Sequence, residues 1–419
     1  MASPPEPVRD ADYVATDMAQ VRLGQMLFYD PILSGNRNIS CATCHHPTLG
    51  TADGVSLSIG EGGTGLGPER RADPENMPEQ RIPRNAPALF NLGAREFTVL
   101  FHDGRIEVDP DKPGGLRTPM GAEMSAGFAS LLSAQTMFPV LSADEMAGHY
   151  SENDVSAAVR QGRITGDGGA WSLLSARVAG TPGYQPLIRA AFPGQEGIDF
   201  TDISDAIAAF IAFEWRSDTS PFDAHLRGEA ALQAEAVRGM DLFYGPAGCG
   251  DCHSGPFQTD HSFHAAGVPQ FGPGKAARFE NHVRDTGRMR VTGRAEDAYA
   301  FRTPSLRNVT ATAPYGHTGS HAQLAAFIAD HADPVAGLER FDPASVALPD
   351  LPGAKDWQHV ESAAERDALR AAIAMPAVTL TADDVAGLVA FLEALTDPVA
   401  LTGRLGIPEA VPSGLPIDR

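Results

Sequence analysis

Two stretches more than two hundred residues apart repeat one pattern of apolar and polar positions. Leu23-Gly24-Gln25-Met26-Leu27-Phe28-Tyr29-Asp30-Pro31 and Arg238-Gly239-Met240-Asp241-Leu242-Phe243-Tyr244-Gly245-Pro246 share Gly-x-x-Leu-Phe-Tyr-x-Pro. Apolar residues at helical spacing that run into a proline predict an amphipathic helix ending there, and the recurrence predicts a unit built twice. Leu27, Phe28, Leu242 and Phe243 are expected to be core residues that carry no chemistry. A second helix should close each unit. The candidates are Asp202 to Trp215, with Ile203, Ile207, Phe210 and Ile211 on one face, and Asp383 to Leu395, with Val385, Leu388, Val389 and Leu392 buried and Thr381 as N-cap. Ser217-Asp218-Thr219-Ser220-Pro221 then reads as the linker. The Gly- and Pro-rich segments 60–87, 110–127 and 267–275 read as long ordered loops, and strand signals are few.

The chain of 419 residues, 43% apolar and 20% charged, has globular composition and room for two domains, expected at 12–217 and 218–405. Its 32 Lys+Arg against 53 Asp+Glu give a net charge of −21, which repels phosphate backbones and anionic membrane surfaces, so nucleic acid is excluded as a default partner. No apolar run approaches the ~18 residues of a membrane span, and the start lacks the basic and apolar regions of a signal peptide. A soluble chain is expected.

The four cysteines fall as Cys41-Ala42-Thr43-Cys44-His45 and Cys249-Gly250-Asp251-Cys252-His253. C-x-x-C-H is the attachment pattern of c-type haem: two thiols add to the porphyrin vinyls and the next His comes under the iron. A single zinc site would give no reason for a His after each second Cys, and a thioredoxin-like pair would want a compact βαβ context. Two covalent haem c groups are therefore expected, with His45 ligating the first iron and His253 the second. The fold class expected is mainly α, two tandem cytochrome c-type domains with long Gly/Pro-rich loops. Because covalent haem attachment takes place outside the bacterial cytoplasm, a periplasmic location is expected, with Met1-Ala2 standing where a signal peptide was removed.

Flanking motifs extend the picture. Pro83-Arg84-Asn85-Ala86-Pro87, Asp103-Gly104-Arg105, Ala122-Glu123-Met124, Pro221-Phe222-Asp223, Thr303-Pro304-Ser305-Leu306-Arg307-Asn308 and Thr312-Ala313-Pro314-Tyr315-Gly316-His317 follow one another in that order. With the haem motifs they resemble the bacterial di-haem cytochrome c peroxidase family, which includes the MauG-type enzymes. The resemblance runs from about Val21 to His331 and over the closing helix. It implies hydrogen peroxide reduction at the N-terminal haem, with the C-terminal haem as electron entry or store of oxidising equivalents. From Ser125 to about Gly180 no residue-level transfer is made.

The resemblance also implies site residues. The family places the distal ligand of the second haem fourteen residues after the His of Ala-Pro-Tyr-x-His, and here that position is His331, which makes this haem bis-His. Where activation-dependent peroxidases carry a removable distal His, this chain has Ser58-Ile59-Gly60-Glu61, so the first haem is expected open or water-bound and Glu61 is expected to face solvent. Glu123 matches the family's acid-base Glu. His102 stands where the family has a Trp between the haems, leaving His102, another aromatic residue or propionates to carry electrons. A calcium ion would be held by Asn85 and the carbonyls of Thr312 and Pro314.

Three functions stay open. The leading one is a periplasmic peroxidase fed by a small donor, a cytochrome c or a cupredoxin. The second is a MauG-like oxidase that modifies a partner protein. The third is a plain di-haem carrier, which would need a sixth ligand on the first haem, with Met120 and Met124 as the candidates.

Overall fold

The computed structural model describes residues 3–124, 126–275, 280 and 282–419. Helix α1 (Met18–Tyr29) starts where the Asp17 carboxylate accepts from the backbone of Ala19 and Gln20, and it stops at extended Asp30, ahead of Pro31. Among the shorter helices that follow are α2 (Leu131–Thr136), α3 (Asp154–Arg160) and α4 (Ala170–Ala179). Then comes α5 (Phe200–Glu214), which opens two residues before the expected Asp202 because Asp199 forms its capping box with Asp202. The second half carries α6 (Ala234–Tyr244), α7 (Leu324–Ala332) and α8 (Ala382–Ala394), the last capped by Thr381 as its sequence indicates.

The recurrent glycine explains the recurrent pattern. A Cβ on Gly24 would lie 1.8 Å from the carbonyl oxygen of Ala206, and one on Gly239 would lie 1.8 Å from that of Gly387. Each glycine therefore marks the point where an opening helix crosses its closing helix at backbone contact, α1 on α5 and α6 on α8. One turn on, Phe28 meets Phe210 at 5.4 Å between ring centroids, and Phe243 meets Phe391 at 5.1 Å. The same helix pair is built twice although the closing helices share no motif. Leu27, Phe28 and Phe243 are buried, and Leu242 is half-buried. Val385 and Val389 are half-buried as well, and the fully buried residue of α8 is Phe391.

Most of the apolar core falls into two clusters, one around α1 and α5, the other around α6 and α8. Helices α2 to α4 add Leu131, Leu132, Val155, Trp171 and Leu174 to the first. After Asp397 the chain returns to that cluster, where Ala400 and Val411 are buried, so the course of the chain is not a simple division at 218–405. Ser217 to Pro221 is also no free linker. Ser217 and Ser220 are fully buried, Asn91 bonds both the backbone N–H and the carbonyl of Ser217, and Asp397 accepts from the N–H groups of Asp218 and Thr219. Strands are short: a pair Gly63–Thr64 with Arg71–Ala72, a trio Val99–Leu100, Ile106–Val108 and Leu116–Arg117, and a pair Phe263–His264 with Phe301–Arg302. Among the described residues no helix is long and apolar enough to cross a membrane.

Candidate functional site

Both C-x-x-C-H segments present their histidine in one way. His45 donates from Nδ1 to the carbonyl of Thr51 at 3.0 Å, and His253 donates from Nδ1 to that of Gln258 at 3.1 Å. Thr51 (φ 60°) and Gln258 (φ 49°) both adopt the left-handed conformation. Pro87 and Pro304 supply a further carbonyl to the two rings. An Nδ1–H held by a backbone carbonyl is the arrangement that metal-ligating imidazoles use. Burial lowers the pKa of both rings and so favours the neutral, ligating form.

The cysteines are free of disulfides. Burial pushes the Cys41 and Cys44 thiols up to about 12 and Cys249 up to about 11, which is the reverse of an activated thiolate. Cys41 and Cys44 pack against the first apolar cluster and Cys249 against the second, and among the described residues no metal-sized group of ligands joins the two pairs. This disfavours a shared zinc site and a thioredoxin-like pair. It fits two porphyrins, each held by its own thiols and histidine.

At the first site the acids are arranged differently from expectation. Glu61 does not face solvent: it is 1% exposed, and its Oε1 accepts from the side-chain amides of Asn36, Asn38 and Asn76, each at 2.9 Å. Arg70 clamps the same loop by donating to the carbonyls of Ile59, Gly60 and Gly65. Glu123 lies exposed on a single 3₁₀ turn (Gly121–Met124). Two acids lie near Cys44: Asp53, whose pKa burial raises to about 7, and Glu145. Glu145 lies close enough to Cys44 to raise that thiol's pKa, after burial and Asp53, and its own pKa is raised by burial against the opposing pull of Lys275 and Arg105. Glu145 sits on a five-residue π-helical turn, Ala143–Ala147, capped by Ser142. The only signal for it in the sequence is an acid between a capping Ser and buried Met146, within the stretch that carried no transfer. Met124 is buried in the first apolar cluster and Met120 packs against it.

At the second site His331 projects from α7 and stacks on Phe327 at 5.3 Å and 15°. Its Nδ1 has no hydrogen-bond partner, and burial, with the proximity of His253 and His321, lowers its pKa to about 4. His321 is already committed to Ser320 and Asp330. Two imidazoles thus converge at this site.

His102 is held by the bond from the Arg302 N–H to its carbonyl at 2.8 Å. Beside it Arg84 pairs with Asp285 and Asp103, all three essentially dry, and Phe301 stacks on His317 at 3.7 Å between ring centroids. The Asn85 N–H donates to the carbonyl of His317 at 2.9 Å, which brings Asn85 to the segment that holds Thr312 and Pro314. The Asn85 side-chain amide turns its N–H to the carbonyls of Val55 and Ser56.

The profile of the di-haem cytochrome c peroxidase family matches residues 18–231. The methylamine utilization protein MauG of Methylorubrum extorquens is 31% identical over 363 residues, covering 80% of this chain and 81% of that protein. Cytochrome c551 peroxidase of Nitrosomonas europaea is 30% identical over 322 residues, covering 77% and 74%. Among solved structures, a MauG-like protein associated with microbial copper homeostasis superposes with a TM-score of 0.59 at 28% identity, covering 96% of this chain and 95% of that one. The di-haem peroxidase BthA of Burkholderia thailandensis, at 22% identity and a TM-score of 0.58, shows the same fold. The chain belongs to the di-haem cytochrome c peroxidase family, which includes MauG, and is an oxidoreductase of the kind that acts on peroxide.

Proposed function

We propose that this chain reduces hydrogen peroxide at the N-terminal haem with electrons that enter one at a time through a bis-His C-terminal haem. The observation that carries the reading is the asymmetry of the two sites: His331 converges on His253, whereas the corresponding guard position at His45 is Glu61, held by three asparagines. Cys41, Cys44 and His45 would hold the first haem, and Cys249, Cys252, His253 and His331 the second. When bound, the haems supply the one-electron chemistry that peroxide reduction consumes.

Glu145 takes the proton from the incoming peroxide oxygen and returns it to the leaving one, the part first assigned to Glu123. With Glu61, held by three asparagines, where activation-dependent relatives have a removable His, no His ligand has to be displaced first. His102, Phe301 and His317 lie between the haems in place of an indole. The twice-built helix pair supports two haem units, about 12–217 and 218–405, with the tail closing on the first. Calcium held by Asn85, Thr312 and Pro314 would fix the two against each other.

The C-x-x-C-H attachment supports a periplasmic setting, and the charge of −21 favours a small donor, cytochrome c or cupredoxin, with a positive docking face. Peroxide-dependent oxidation of a partner protein is the second reading, favoured by the same missing His. A plain electron carrier fits poorly, because Met120 and Met124 pack with the apolar cluster. The test mixes the all-ferric resting protein with stoichiometric peroxide and follows the spectrum. Reaction without prior reduction is expected; two low-spin haems indifferent to peroxide would overturn the proposal.

A further inference from the structure

Outside both haem sites, Glu79, Asp144 and His149 each bring one ligand atom into a group whose atoms all lie within 4.8 Å of one another. His149 is 6% exposed, yet neither ring nitrogen has a hydrogen-bond partner, a costly state for a buried polar group. The ring is aimed at the two acids. Its Nδ1 stands 3.6 Å from Glu79 Oε2 and its Nε2 stands 3.9 Å from Asp144 Oδ1. Those separations are too long for hydrogen bonds. One imidazole gives one nitrogen to a cation: two ligands at ~2.1 Å from a tetrahedral zinc are ~3.4 Å apart, close to the 3.6 Å between Nδ1 and Glu79, and the one atom that Asp144 offers lies within 4.8 Å of the other two ligands. Gln80 donates to Asp144 Oδ2 at 2.6 Å and so holds that carboxylate with Oδ1 toward the ring. The His149 backbone N–H is fixed by Glu152 at 2.8 Å.

We propose that Glu79, Asp144 and His149 bind a first-row divalent cation of zinc-like chemistry. One imidazole and two carboxylates neutralise a 2+ charge, and the nitrogen ligand disfavours calcium, which takes oxygens. The ligands come from the loop at 79, from within the turn Ala143–Ala147 and from just after it. That turn also receives the Glu61 N–H on the Asp144 carbonyl at 3.0 Å. A bound cation therefore ties the turn that carries Glu145 to the loop in front of it. Its bearing on peroxide chemistry rests on the reading of Glu145 above, but the binding itself does not.

The experiment dialyses the chelator-treated di-haem protein against Zn²⁺ in a calcium-containing buffer and counts bound zinc by atomic emission. Wild type is expected to hold one equivalent more than His149→Gln and than Glu79→Gln, each checked for two haems by its spectrum. Equal zinc in wild type and both variants overturns the site, and if His149→Gln fails to assemble, the Glu79→Gln count decides alone. Amide exchange of residues 143–147 should slow on zinc addition in wild type only; unchanged exchange despite an extra zinc would overturn the clamp.

Discussion

The substitution Asp223→Asn should destabilise the protein by about 4 kcal/mol, more than any exposed ion pair could account for. Asp223 and Arg307 have no exposed side-chain surface and meet at 2.7 Å. The guanidinium also donates to the Pro256 carbonyl at 2.8 and 2.6 Å, just past the second C-x-x-C-H, while the carboxylate accepts from the N–H and hydroxyl of Ser220. An amide in place of the carboxylate would keep the shape but leave Arg307 buried without its counter-charge. At an effective dielectric near 20, opposite charges ~4 Å apart attract by about 4 kcal/mol, and removing one member of a buried pair costs roughly 3–5 kcal/mol. At ~1.4 kcal/mol per tenfold, that is about 1,000-fold in the unfolding equilibrium.

Burial pushes the Asp223 carboxyl up, but Arg307 and Ser220 outweigh it and hold its pKa below the usual carboxylate range. A depressed folded pKa contributes stability above the unfolded value of about 3.9, lost as pH falls through the folded one, so the wild-type advantage should be flat near neutrality and shrink below about pH 4. Guanidinium melts of both holoproteins, followed by far-UV circular dichroism and the Soret band, measure the difference. A loss under about 1 kcal/mol, the range of exposed pairs, or an advantage that grows in acid, would refute the reasoning.

Glu145→Gln should slow the reaction with peroxide by about 100- to 10,000-fold with both haem spectra retained, whereas Glu123→Gln should change it less than about fivefold; stopped-flow rates that rank them the other way would restore Glu123. In Gly24→Ala and Gly239→Ala the new Cβ starts 1.8 Å from a carbonyl oxygen, so each should lose about 1–3 kcal/mol or more by overpacking, read as a lower melting temperature. An unshifted melt would show that the crossing helices part at no cost. His331→Met should leave the second haem six-coordinate and raise its potential, because a thioether favours the ferrous state; an unchanged potential in redox titration would place the ligand elsewhere.

What could be read along the chain was local. The C-x-x-C-H pairs, the two opening helices, the closing helices and the Thr381 cap depend on residues within a turn or two of one another, and periodicity reports such contacts directly. His331 was singled out only by the interval that the family resemblance sets from His317, and the structure places it on α7. Glu61 was expected in solvent and is buried: among 53 acids, nothing local says which ones lose water. Glu61 is buried by asparagines at 36, 38 and 76, and Glu145 is turned toward Cys44 by a π-helical turn that packs against the Glu61 loop. The carbonyls of Thr51 and Gln258 reach their histidines through left-handed residues that composition does not announce. The sequence by itself determined where the two C-x-x-C-H motifs stand and which helices open and close each unit, since those depend on residue spacing and helical period. Only the tertiary structure decided which acids are buried and what holds them, since burial and charge depend on what other segments bring to the same place.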